Sequence, residues 1–162
     1  MIIRKSTMDA ETLMQNAIET ARKGIAKGQT PFGCAIYIDG EIIAEHNCVH
    51  ASTDITAHAE ITALRSACKK TGKIDLSGAM VASTCEPCPM CAAALHWAKV
   101  STIFYGASIG DANKAGFNEL GLAASEVFTK SNNRVSLIGG VLEEECKALF
   151  EHWLKQPLHK EY

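Results

Sequence analysis

Apolar residues recur at Met14, Ala17, Ile18, Ala21 and Ile25. Steps of three and four along the chain predict a helix with one apolar face from Met14 to Ile25. Gly28 and Pro31 punctuate its end. Phe32 to Ile38 is a short, mostly apolar run and predicts a strand. Asp39-Gly40 is a hairpin signal, so Glu41 to His46 returns as its antiparallel partner. A second helix is expected from about Thr56 into the early seventies. Ala79 to Ser83 reads as a short buried strand. A helix can follow Pro89, since proline fits a first helical turn. Thr102 to Gly106 is the next strand, and the glycine-containing stretch from Ala107 to Gly121 is less regular. Val135 to Gly139 is a last strand candidate. Leu142, Cys146, Leu149, Phe150 and Trp153 give a final helix its apolar stripe. Strands and helices alternate after the hairpin, which predicts an α/β layered domain with helices covering a mixed sheet.

The length of 162 residues suits a single domain spanning the chain, and a hydrophobic fraction of 47% is ordinary for a globular protein. The net charge of −2 gives no global attraction to a polyanion, which weighs against a nucleic-acid partner. No apolar run is long enough to span a membrane, and Met1-Ile2-Ile3-Arg4-Lys5 lacks the apolar region of a signal peptide. The expected setting is cytoplasmic and reducing. There the seven cysteines are metal ligands or buried thiols rather than a disulfide framework.

Two segments carry chemistry: Thr56-Ala57-His58-Ala59-Glu60 and Cys85-Glu86-Pro87-Cys88-Pro89-Met90-Cys91. Alone, His58 could be a hydrogen-bonded core residue and the C-x-x-C pair redox-active or structural. Together, one imidazole and the two thiolates of Cys88 and Cys91 suit zinc and leave a fourth tetrahedral position for water or substrate. Helix N-terminal dipoles would favour the thiolates. Glu60, two residues past His58, can lie beside the metal without ligating it and move protons. It could also be a surface carboxylate near a helix start.

H-x-E followed by P-C-x-x-C is the signature of zinc deaminases. On His58 to Glu60 and Pro87 to Cys91 the chain resembles the cytidine deaminase-like superfamily. That resemblance implies a three-layer α/β/α fold around a five-stranded mixed sheet. Within the superfamily it resembles the bacterial guanine deaminases, on Pro31-Phe32-Gly33, Asn47, Trp97, the run Asp111 to Glu119 with its Ala115-Gly116-Phe117, and Lys160-Glu161-Tyr162.

The branch implies guanine and water giving xanthine and ammonia. It implies that Asn47 hydrogen-bonds the purine, that Phe32 forms a stacking pocket and that Trp97 lines it. Glu119 is then the second acid, where some members carry aspartate, and Tyr162 helps close the site. It also implies a homodimer whose C-terminal segment can be exchanged between protomers. Residue type alone leaves Phe32 between pocket and core and Asn47 between pocket and turn, and it favours a core place for Trp97, a solvated loop for Glu119 and a frayed terminus for Tyr162. The zinc signature does not choose the base. Adenosine in tRNA, another nucleobase, a nucleoside or an aminotriazine could use the same chemistry. A noncatalytic zinc-binding module would keep the ligands without the turnover.

Overall fold

A computed structural model describes residues 8–132 and 135–162. The segment Met1 to Lys5, read above against a signal peptide, lies outside the described residues. Helix α1 runs Ala10–Ala26, longer than its apolar stripe, because Asp9 caps it by accepting from the Thr12 amide at 2.8 Å. Strands β1 (Gly33–Ile38) and β2 (Glu41–His46) pair antiparallel across Asp39 and Gly40, both at positive φ. That is the backbone a two-residue hairpin turn demands.

Beyond the hairpin come α2 (Val49–Ser52), α3 (Ala59–Thr71), β3 (Met80–Cys85), α4 (Pro89–Trp97) and β4 (Thr102–Ala107). The remaining elements are α5 (Ile109–Lys114), α6 (Ala124–Phe128), β5 (Ser136–Ile138) and α7 (Glu143–Leu154). The five-stranded sheet has the order β2-β1-β3-β4-β5. β1 is antiparallel to both β2 and β3, whereas β3, β4 and β5 run parallel. The sheet is mixed, as expected.

Helices cover both faces. Leu13, Met14, Ala17, Ile18 and Ala21 of α1 and Leu149, Phe150 and Trp153 of α7 pack with Ala35, Ala82 and Phe104 on one side. Ala63, Leu64 and Ala67 of α3 and Leu95 of α4 pack with Ile36, Val81 and Ile103 on the other. Alternate strand residues therefore serve opposite cores. Gly33 marks the tightest point between layers, since a Cβ there would meet the Ala17 carbonyl oxygen at 2.1 Å and the Ala21 Cβ at 2.9 Å. Only glycine lets α1 sit this close to the start of β1.

Three short helices depart from the sequence expectation. The stretch from Ala107 to Gly121 contains α5, begun by a capping box in which Ser108 and Asp111 satisfy each other's amides. α2 and α6 span too few residues to register as an apolar period. Among the described residues no helix is long and apolar enough to cross a membrane.

Candidate active site

The functional side chains gather where β3 and β4 end and α3 and α4 begin. In a parallel sheet this is the edge at which connecting loops form a crevice. β3 ends at Cys85, and three residues later Cys88 becomes the N-cap of α4 with Pro89 in its first turn. His58 is the N-cap of α3. Both caps have extended backbone, which turns their side chains out of the helix start and toward one another. Cys91 lies in the first turn of α4, on its buried face.

The three candidate ligands converge. The Cys88 and Cys91 sulfurs each lie 3.6 Å from the His58 Nδ1. All three ligand atoms lie within 4.8 Å of one another. Zinc bonds of about 2.0 Å to nitrogen and 2.3 Å to sulfur at a tetrahedral angle place those atoms about 3.6 Å apart. The donor set and its spacing therefore fit zinc. No fourth His, Cys or carboxylate completes the cluster among the described residues.

Protonation agrees. A hydrogen bond from the Cys91 thiol, then one from His58, holds the Cys88 thiol down to about 4, and the same hydrogen bond pushes the donating Cys91 thiol up. One sulfur is thus already ionised beside a proton that a dication can displace. Burial pulls the His58 imidazole down, but the Cys88 bond and the charges of Glu60, Cys88 and Glu119 outweigh it and leave it raised.

Glu60, in the first turn of α3, is buried at 7% exposure, and its Oε1 accepts from the Ser83 hydroxyl at 2.7 Å. Burial first, then the Cys88 charge, raises its carboxyl above the ordinary value. A carboxyl so placed is less costly to protonate than one in water, which suits a group that takes and returns protons.

One pocket is lined by Phe32, Asn47, His58, Glu60, Cys85, Glu86, Cys88, Glu119 and Tyr162. Asn47 is fully buried; its Oδ1 accepts from the Val49 amide at 3.0 Å and its Nδ2 donates to the Tyr162 hydroxyl at 2.9 Å. The Tyr162 ring lies 5.4 Å from the His58 ring, and His50 Nε2 donates to the Lys160 carbonyl at 2.8 Å. Burial first, with the charge of Glu60 among other causes, pushes the Tyr162 phenol up, so it stays protonated. Glu119 is half-buried, and burial followed by the Cys88 charge raises its carboxyl. Phe32 meets Phe117 edge-on at 4.9 Å, and Phe117 stacks on Trp153 at 5.0 Å. An outer recess lined by Ile55, Met90, Phe117, Leu120 and Tyr162, among others, adjoins this pocket through His58, Cys88 and Glu119.

Eight of the nine residues singled out in the sequence meet here. The exception is Trp97, which is 79% exposed at the end of α4 and lines neither cavity. This corrects the expectation that it borders the pocket of its own chain. Six residues after Cys91 is roughly two-thirds of a turn off the inward face. Leu95 and Ala98 take that face instead. The sequence reading missed Ser83, Glu86 and Phe117. Ser83 and Thr84 are two hydroxyls in a buried strand that is otherwise without oxygen-bearing side chains, which is a usable signal. Glu86 and Phe117 lay inside quoted motifs without a role assigned to either.

Residues 7–107 match the family model for the cytidine and deoxycytidylate deaminase zinc-binding region. A guanine deaminase from Bacillus subtilis (strain 168) is 39% identical over 157 residues, covering 96% of this chain and all of that protein. A tRNA-specific adenosine deaminase from the same organism is 36% identical over 147 residues, 90% of this chain and 89% of the relative. The solved guanine deaminase from Nitrosomonas europaea superposes with a TM-score of 0.80 at 27% identity, over 91% of this chain and 85% of that one.

Proposed function

Because this chain belongs to the cytidine and deoxycytidylate deaminase zinc-binding family, a family of zinc-dependent hydrolases, we propose that its substrate is a free purine base, guanine, converted to xanthine and ammonia. One observation carries the choice. Tyr162, tied to the buried Asn47, lies across the pocket beside His58. A roofed pocket suits a small planar base held on aromatic and directional polar contacts. A base still attached to a polynucleotide needs a path for its backbone and a basic groove along it.

His58, Cys88 and Cys91 would hold the zinc. When bound, the metal lowers the pKa of water and so supplies a nucleophile at neutral pH. Glu60, steadied by Ser83, takes the proton as the water oxygen bonds to C2 and hands it to the neighbouring ring nitrogen. Glu60 then carries the second proton to the amino nitrogen. The C2–N bond breaks, and ammonia leaves while the carbonyl of xanthine forms. Asn47 supplies a polar partner for the base, Phe32 a wall of its pocket, and Glu119 a second carboxyl that can share the proton movements. None of the seven cysteines is paired in a disulfide, and the reading includes a reducing, cytoplasmic setting. The same reading includes a homodimer in which the C-terminal segment can be exchanged between protomers.

Deamination of adenosine in tRNA is the second reading, favoured by the tRNA-specific relative that matches 90% of the chain. Purified protein is tested for ammonia release with guanine and, separately, with an adenosine-bearing anticodon stem-loop. Xanthine from guanine, with the stem-loop unchanged, is expected. Inosine in the RNA with guanine untouched overturns the assignment.

A further inference from the structure

Between β4 and α6 the chain makes a detour that lays Phe117 and Glu119 along the pocket and its outer recess. Its tip is lightly held. Gly116 and Gly121 bend it at positive φ, the Glu119 amide donates to Asn113 Oδ1 at 3.3 Å, and Leu120 is 80% exposed. Its two ends, by contrast, are fastened to one side chain. Glu86 Oε2 accepts from the amide of Ile109, the first residue of α5, at 3.4 Å. Glu86 Oε1 accepts from the amide of Ala124, the first residue of α6, at 2.9 Å. The Glu86 amide in turn donates to the Ala107 carbonyl at 2.8 Å. One carboxylate thus sets the span between the points where the detour leaves and returns, and it stands two residues before Cys88.

We propose that Glu86 is a positioning residue for Glu119: it holds the Glu119 loop in register with the metal ligands. The proposal rests on the reading that Glu119 works on the substrate. A glutamate is required because both of its oxygens accept. Glutamine keeps the shape, but its amide nitrogen cannot accept, so one of the two backbone amides would face another donor. Freed at one end, the loop shifts and Glu119 loses its reach. Small misplacements in an active site lower the rate by about tenfold or more.

Loop anchoring and mere stabilisation are separated by a double-mutant cycle. Glu86→Gln, Glu119→Gln and the double variant are compared in kcat/KM by ammonia release, with zinc content measured on each. Glu86→Gln is expected to lose about tenfold or more in kcat/KM with full zinc. In the Glu119→Gln background it should cost nothing further, and amide exchange at Ile109 and Ala124 should rise. Losses that multiply, a wild-type Glu86→Gln, a loss of zinc, or a Glu119→Gln at wild-type rate each overturn the proposal. If Glu86→Gln fails to fold, Glu86→Asp, which keeps the charge but shortens the reach, goes through the same cycle with the same expected outcome. Should the wild type leave guanine unchanged, the cycle is read on the RNA substrate. A failed choice of base is then distinguishable from failed positioning.

Discussion

His58, Cys88 and Cys91 reach their places within the caps and first turns of two helices. Phe117, Glu119 and Tyr162 reach the same pocket and its outer recess from a glycine-bent loop and from the segment beyond α7. In the first wall each ligand is placed by the backbone of its own helix start, and the sheet brings the two starts together. The second is held by distant ties: Glu86 to Ile109 and Ala124, Asn47 to Tyr162, Phe32 to Phe117. The difference separates two jobs. On the proposed reading, the first wall would run the chemistry on an amino-bearing ring, and the second would set which ring fits.

Substitutions should split along that line. The largest effect is expected from Cys88→Ala, which leaves two ligands and should lose zinc and ammonia release together. Metal analysis of the purified variant checks it, and full occupancy would remove Cys88 from the ligand set. Next comes Glu60→Gln, on the same wall but outside the metal's ligands. It should retain zinc while turnover falls by about 10²- to 10⁴-fold. Turnover at the wild-type rate would take Glu60 out of the mechanism.

The smallest of the three is Tyr162→Ala on the opposite wall. It should raise KM for the base by on the order of tenfold, the worth of one lost hydrogen bond to a buried partner, with zinc untouched. Steady-state kinetics decide it, and unchanged constants would make Tyr162 incidental. The same variant tests exchange of the C-terminal segment. Mixed with Glu60→Gln and refolded together, it should regain low-KM activity, since intact tails would then close intact pockets. No recovery would place the tail on its own chain.

The two walls also differed in how far the sequence disclosed them. The ligands and Glu60 sit within a few residues of one another in two short motifs, and zinc accepts few donor sets, so composition and spacing were enough. The hairpin was equally plain, because Asp39-Gly40 names its own turn. α5 was missed although Ser108 and Asp111 form its capping box, since the surrounding glycines argued for a loop. Four- and five-residue helices such as α2 and α6 carry no period to detect. Ser83 bonds to Glu60 and Phe117 packs on Trp153 across long stretches of chain, and no local pattern encodes such pairings. Trp97 shows the opposite error. Family likeness supplied a role that helical phase, counted from Cys91, withdraws for this chain's own pocket.

His58 and Cys88 are the residues at which α3 and α4 begin, so metal uptake and the order of two covering helices are one equilibrium. A ligand that binds only the folded chain adds about 2.7 kcal/mol of stability when its free concentration is a hundredfold its dissociation constant. The melting temperature of this protein is therefore also a gauge of the surrounding free zinc. Chelation is therefore expected to lower that temperature, and to loosen first the helix starts that carry the ligands.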